Sequence, residues 1–96
     1  MSDPIDLCVL LWAVPGRLDE LIRYEDTVLA LVADHGGRVV NRLRNLGDEG
    51  PSEVHVLHFQ SQTSLDSYMN DPRRLALADE RERSVGRTEV ISVLPA

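Results

Sequence analysis

From Ile5 to Val14 the chain is almost unbroken in apolar residues. Ile5, Leu7, Val9 and Leu11 share one side-chain parity, and Cys8, Leu10 and Trp12 share the other, before Pro15-Gly16 stops the run. So short a run predicts a strand, and because alternate strand residues face opposite ways, this one needs cover on both faces. The period then changes. Leu18, Leu21, Ile22, Val28, Leu29 and Val32 recur at helical spacing, which predicts a helix over 17–35, ended by Gly36-Gly37.

Residues 38–46 return to a strand pattern, with Val39, Asn41 and Leu43 on one face and Val40, Arg42 and Arg44 on the other. A Gly/Pro-bearing loop over 47–51 leads to a third strand over 52–59, and so short a connection makes the two strands an antiparallel pair. Ser61 is a good N-cap for a helix over 62–69. Asn70-Asp71-Pro72 reads as a helix stop, because proline cannot continue a helix without a kink or break. A further helical piece over 73–85 and a strand over 88–94, closed by Pro95, complete the pattern.

The order strand, helix, strand, strand, helix, strand predicts an α+β protein: a single ferredoxin-like βαββαβ domain over 1–96. Right-handed crossovers put both helices on one face of a four-stranded antiparallel sheet. Nothing in the chain is left for the other face. A second copy is the simplest lid, so the expected partner is a homodimer packed sheet against sheet.

Composition narrows the function. A net charge of −6 opposes a phosphate-backbone partner, so no nucleic acid is expected. Arg73, Arg74, Arg81, Arg83 and Arg87 cluster, but acidic residues are interleaved, which reads as a solvated helix face, with an anion site as the lesser reading. All ten basic residues are arginine, which removes Schiff-base catalysis, a pyridoxal-phosphate anchor and a P-loop lysine. Cys8 has no partner for an internal disulfide, and no apolar run approaches the roughly 20 residues of a membrane span. A cytoplasmic setting without membrane association is expected.

Three places carry a family likeness: Tyr24 in a helix ending at Asp34-His35-Gly36-Gly37-Arg38, a strand ending in Phe59 with Ser61 two residues on, and Ser67-Tyr68-Met69-Asn70-Asp71-Pro72. In these the chain resembles the dimeric α+β barrel superfamily, and within it an uncharacterised bacterial family of about this length. Met69 stands where that family often has a second aromatic, and His58 where an acidic residue is common. The resemblance implies a dimeric barrel. It leaves activity open, since the superfamily includes cofactor-independent quinone-forming monooxygenases, haem-degrading enzymes, lactone isomerases and amino-acid-sensing domains.

Glu25 falls near the middle of the first helix's apolar stripe, where a carboxylate faces the sheet. It is read as a general base or substrate partner, against the blander reading of a carboxylate reaching an edge arginine. His58 is the second catalytic candidate, and Trp12, Tyr24, His55 and Tyr68 are candidate cleft residues. His55 and His58 lie three apart on a strand and so face opposite ways, which argues against one shared metal; no metal or cofactor is expected. His35, beside the Gly-Gly turn, suits a helix C-terminus. The reading that follows is a small homodimer whose helix/sheet cleft binds a small, partly apolar metabolite. The alternatives are a cofactor-independent monooxygenase or isomerase acting on an aromatic or enol-type metabolite, and a sensing or structural dimer without catalysis.

Overall fold

The apolar first run forms the strand β1 (Ile5–Ala13), at the centre of the sheet. The computed structural model describes residues 3–94; the stop expected at Pro95 lies outside them. Helix α1 (Leu18–Leu29) follows, then a short 3-10 turn (Val32–His35) and strand β2 (Gly37–Arg44). Strand β3 (Glu53–Phe59) leads to helices α2 (Gln62–Met69), α3 (Pro72–Leu75) and α4 (Ala78–Ser84), and strand β4 (Val85–Val93) ends the fold. The sheet order is β2-β3-β1-β4 and every pairing is antiparallel. This is the ferredoxin-like arrangement expected.

Three local features differ from the sequence pattern, each for a physical reason. First, α1 ends at Leu29 rather than His35. The Leu31 N–H donates to the Val28 carbonyl and the Asp34 N–H to Leu31, both at 3.1 Å, so the chain tightens to i−3 bonding. That tightening steers Gly36, at φ +69°, and Gly37 into the sheet. Gly37 has no room for a side chain: a Cβ there would sit 2.7 Å from Val32 Cγ1 and 2.8 Å from the Phe59 ring.

Second, the helical stretch after Pro72 is in two pieces. Asp71 caps the first, its Oδ1 accepting from the Arg73 N–H at 2.8 Å, with Pro72 at the first helical position, where no donor is needed. The same carboxylate accepts from His35, whose Nδ1 meets Ser67 Oγ; both contacts are 2.7 Å. His35 therefore latches the end of the 3-10 turn to α2 and α3, beyond the simple helix-terminus role expected.

Third, β2 carries a bulge between Val39 and Asn41. Strict alternation puts Val39 opposite in sense to Arg42 and Arg44. The extra residue corrects that expectation: Val39 lies across from Leu57, Arg42 from His55 and Arg44 from Glu53, all on one face.

Helices cover that face. Leu29, Val32, Leu57, Phe59 and Tyr68 form a buried cluster between helices and sheet. The other face has no cover among the described residues. Cys8, Leu10, Trp12, Val54 and Val56 are only half-buried there, Leu43 is 55% exposed and Ile91 50%. The molecule is accordingly thin, 16 Å in its shortest extent. Among the described residues no helix is long and apolar enough to cross a membrane.

Candidate functional site

Alternation along β1 and β3 builds the floor of a cleft. Leu7, Val9 and Leu11 from β1 and His55 and Leu57 from β3 point to the helix side. Val28 and Leu29 of α1 and Leu65 and Tyr68 of α2 form the walls. The space enclosed is about 240 Å³ and reaches the open edge at Thr88 and Val90 of β4. A 150 Å³ apolar cavity takes a benzene ring, so roughly one ring with a short side chain fits here.

Besides Tyr68 and Thr88, four polar side chains line this aliphatic space: Glu25, His55, Arg74 and Arg81. Glu25 is 6% exposed, as its place in the α1 stripe demands. Among the described residues it makes no arginine ion pair; its Oε2 instead lies 3.9 Å from His55 Nδ1. Burial, reinforced by the negative charge of Glu53, pushes its pKa up to about 7, against the opposing pull of Arg42, Arg74 and Arg81. Near neutrality this carboxyl therefore exists in both protonation states, as a proton-transfer group requires.

His55 is held from behind. Its Nε2 lies 2.7 Å from Glu53 Oε1. Glu53 is fully buried and also accepts from Arg42 Nε at 2.9 Å and Arg44 Nη2 at 2.8 Å. Burial alone would raise the Glu53 pKa, but the donors from Arg42, His55 and Arg44 together outweigh it and leave the group below its ordinary value. Burial depresses the His55 pKa, and the bond to Glu53 only partly offsets that. The ring is accordingly neutral, donates Nε2–H to the Glu53 carboxylate and turns a bare Nδ1 toward Glu25.

The candidates from sequence separate into two sets. Glu25, His55 and Tyr68 meet in the cleft. His58 does not: strand alternation sends it through to the other face, where its Nδ1 lies 2.8 Å from Asp6 Oδ1. Trp12 likewise faces away from the helices, its ring under the Arg87 guanidinium at 4.5 Å. The catalytic candidate His58 therefore lies outside the cleft, the histidine beside Glu25 is the cleft candidate His55, and Trp12 is not a wall of this cleft. Tyr24 is buried but lines a different depression, about 260 Å³ between α1 and α4, among the charged side chains of Glu20, Arg23, Glu80 and Arg83. Burial pushes the Tyr24 and Tyr68 phenols up, so both are neutral donors.

Glu53 escaped the sequence reading, and Arg74 and Arg81 entered it only within an arginine cluster read first as a solvated face. Glu53 shares the parity of His55, Leu57 and Phe59, a signal that was available. Arg74 and Arg81 were masked by the interleaved acids around them. Among the described residues no cluster of three or more metal-ligating side chains forms.

No family model and no curated protein matches this sequence. Solved structures do. The protein PA3566 of Pseudomonas aeruginosa superposes with a TM-score of 0.81 at 16% identity, covering 100% of this chain and 97% of that one. A protein of Bacteroides thetaiotaomicron provisionally assigned as an antibiotic biosynthesis monooxygenase gives 0.79 at 18% identity, covering 97% and 90%. A dabb family protein with a ferredoxin-like fold from Mesorhizobium loti gives 0.70 at 16% identity, covering 97% of each chain. With sequences this far apart the likeness is one of architecture, and the chain has a ferredoxin-like α+β fold.

Proposed function

We propose that this protein binds a small, partly apolar metabolite in the cleft between helices and sheet, and that Glu25 exchanges a proton with it. The observation that carries this reading is a buried carboxyl, poised near neutral pH, facing an aliphatic space with no arginine paired to it among the described residues. A purely structural acid in that position would be costly without a salt bridge. The neutral His55, fixed by Glu53, is the positioning residue: it turns its bare Nδ1 toward Glu25 at 3.9 Å. The working form is a homodimer closed through the bare sheet face, whose half-buried apolar residues favour a second copy over water.

Proton removal from a hydroquinone or an enolisable carbon gives an electron-rich anion, and such an anion is the species that reacts with oxygen or isomerises without a cofactor. The name of the Bacteroides thetaiotaomicron relative favours the oxygenation branch as a second reading. The test is a panel of neutral hydroquinones and enolisable ketones, followed by deuterium exchange and oxygen uptake. Exchange that the wild type catalyses and Glu25→Gln does not is the expected result. Exchange unchanged in that variant, or absent across the panel, would remove the proton-transfer role. Oxygen uptake separates the oxygenase from the isomerase.

A further inference from the structure

We propose that the cleft takes a carboxylate-bearing ligand, held at its acid end by Arg74 and Arg81. This inference rests on the cleft being the ligand site and adds the ligand's charge. It starts from how the arginines are used. Arg17, Arg42, Arg44, Arg73, Arg83 and Arg87 each pair with a carboxylate. Arg74 and Arg81 line the cleft, and among the described residues neither pairs with one.

What they do hold is weak. Arg74 Nη1 donates to the Met69 carbonyl at 3.4 Å and Arg81 Nη2 to Thr88 Oγ1 at 3.3 Å, both beyond the usual range for such bonds. Arg74 Nε is shut off from solvent with no acceptor at all. A guanidinium is always charged, and a buried N–H without a partner costs free energy. Arg74, half-buried with one N–H unpartnered, and the more exposed Arg81 line the same aliphatic space and form a receptor short of its anion. Arg74 also lies over the Tyr68 ring at 5.2 Å, which fixes its plane and leaves its edge for a fork of hydrogen bonds.

The Glu25 carboxyl sets how the rest of the ligand lies. Glu25 would repel an anion against it, so the carboxylate goes to the arginines, the proton-bearing carbon near it comes to Glu25, and the apolar ring or chain beyond that carbon packs on Leu7, Val9 and Leu57. The length and volume suit a single-ring keto acid or aryl acid.

Calorimetry with phenylpyruvate and its neutral methyl ester tests this. Wild type binds the acid at least about tenfold more tightly than the ester. Arg74→Gln with Arg81→Gln abolishes that preference but still binds the ester, which doubles as the check that the variant is folded; the Arg→Lys pair restores part of it. Equal binding of acid and ester, binding of neither, or a preference that survives the double replacement overturns the proposal. Glu25→Gln separates the two readings. It removes a like charge, so the preference for the acid persists or grows, while exchange at the carbon between ring and ketone is lost. In that exchange Glu25 takes the proton, the C–H electron pair becomes the enolate, and solvent deuterium returns to carbon.

Discussion

His55 donates its Nε2–H to Glu53 Oε1 at 2.7 Å, and this one bond fixes which ring nitrogen looks into the cleft. Both residues are essentially inaccessible, and they lie two apart on β3, so strand alternation alone puts them on the same face. Arg42 and Arg44 reach Glu53 only because the β2 bulge turns them to that face. A backbone irregularity at the sheet edge thus sets the charge of a buried acid, that acid sets the tautomer of His55, and the bare nitrogen faces Glu25.

Glu53→Gln tests that chain of control. The variant leaves Arg42 without its main counter-charge, and breaking such a buried pair costs about 3 kcal/mol of stability. Urea denaturation measures it. The Glu53 charge also contributes to the raised pKa of Glu25. Carboxyl ¹³C chemical shifts followed against pH therefore give a Glu25 midpoint below that of the wild type. An unchanged midpoint would mean that burial alone sets it.

Glu25 itself makes stability depend on pH in an unusual direction. Its pKa is about 7 folded against 4.5 for the free group. Between these values the native state holds a proton that the unfolded chain releases, so stability falls as pH rises from about 4.5 to 7 and levels above that. Glutamine does not titrate. The stability of Glu25→Gln relative to wild type therefore improves by up to about 3 kcal/mol between pH 4 and pH 8. Denaturation at a series of pH values reads this difference, and a flat difference would show that Glu25 titrates alike in the folded and unfolded chain.

Strand and helix periods were enough to read β1, the α1 stripe and the sheet topology, because burial on one face forces a regular pattern on the sequence. Glu25 was legible for the same reason: an acid in an apolar stripe contradicts the period. His55 and His58 were assigned to opposite faces by spacing, but choosing between them needed the register of β3 against β1, which fixes which parity meets the helices. The bulge in β2 was invisible, since Val39-Val40-Asn41 shows no glycine or proline to mark it. Arg74 and Arg81 could not be singled out in a stretch where every arginine has acidic neighbours in sequence. The helices break at Leu77, Arg74 is half-buried and Arg81 reaches the rim of the cleft, and Arg73 and Arg83 take the ion pairs outside.

Two glycine substitutions separate steric need from mere presence. Gly37→Ala drives a methyl to within 2.8 Å of the Phe59 ring and 2.7 Å of Val32. Both are immobile core side chains, so overpacking costs about 1–3 kcal/mol. Gly86→Ala meets nothing closer than the Trp12 carbonyl at 3.5 Å, an ordinary contact. Thermal unfolding lowers the Tm of the first variant by several degrees and leaves the second near wild type. Similar losses in both would deny the tight approach at Gly37.

The bare sheet face gives the assembly prediction. Val56 lies mid-strand on β3, between Cys8 of β1 and Asn41 of β2, and points away from the helices. Around it Leu10, Trp12 and Val54 are half-buried by one another alone, and Arg38, His58, Arg87 and Glu89 ring them with charge or polarity. That pattern, apolar within and polar at the rim, is how an interface between folded chains is built. A charge at its centre must be desolvated if the copies meet, so Val56→Asp opposes association far more than it opposes folding of one copy, where the side chain stays in water. Sedimentation velocity then finds dimer for wild type and monomer for Val56→Asp. The linkage follows too: a dimer's Tm rises with protein concentration, and that of the variant does not. Val56→Thr keeps the shape and the strand preference while adding one hydroxyl, and weakens the dimer without dissolving it. A wild type that sediments as monomer, with a Tm independent of concentration, would leave the apolar face without its second copy.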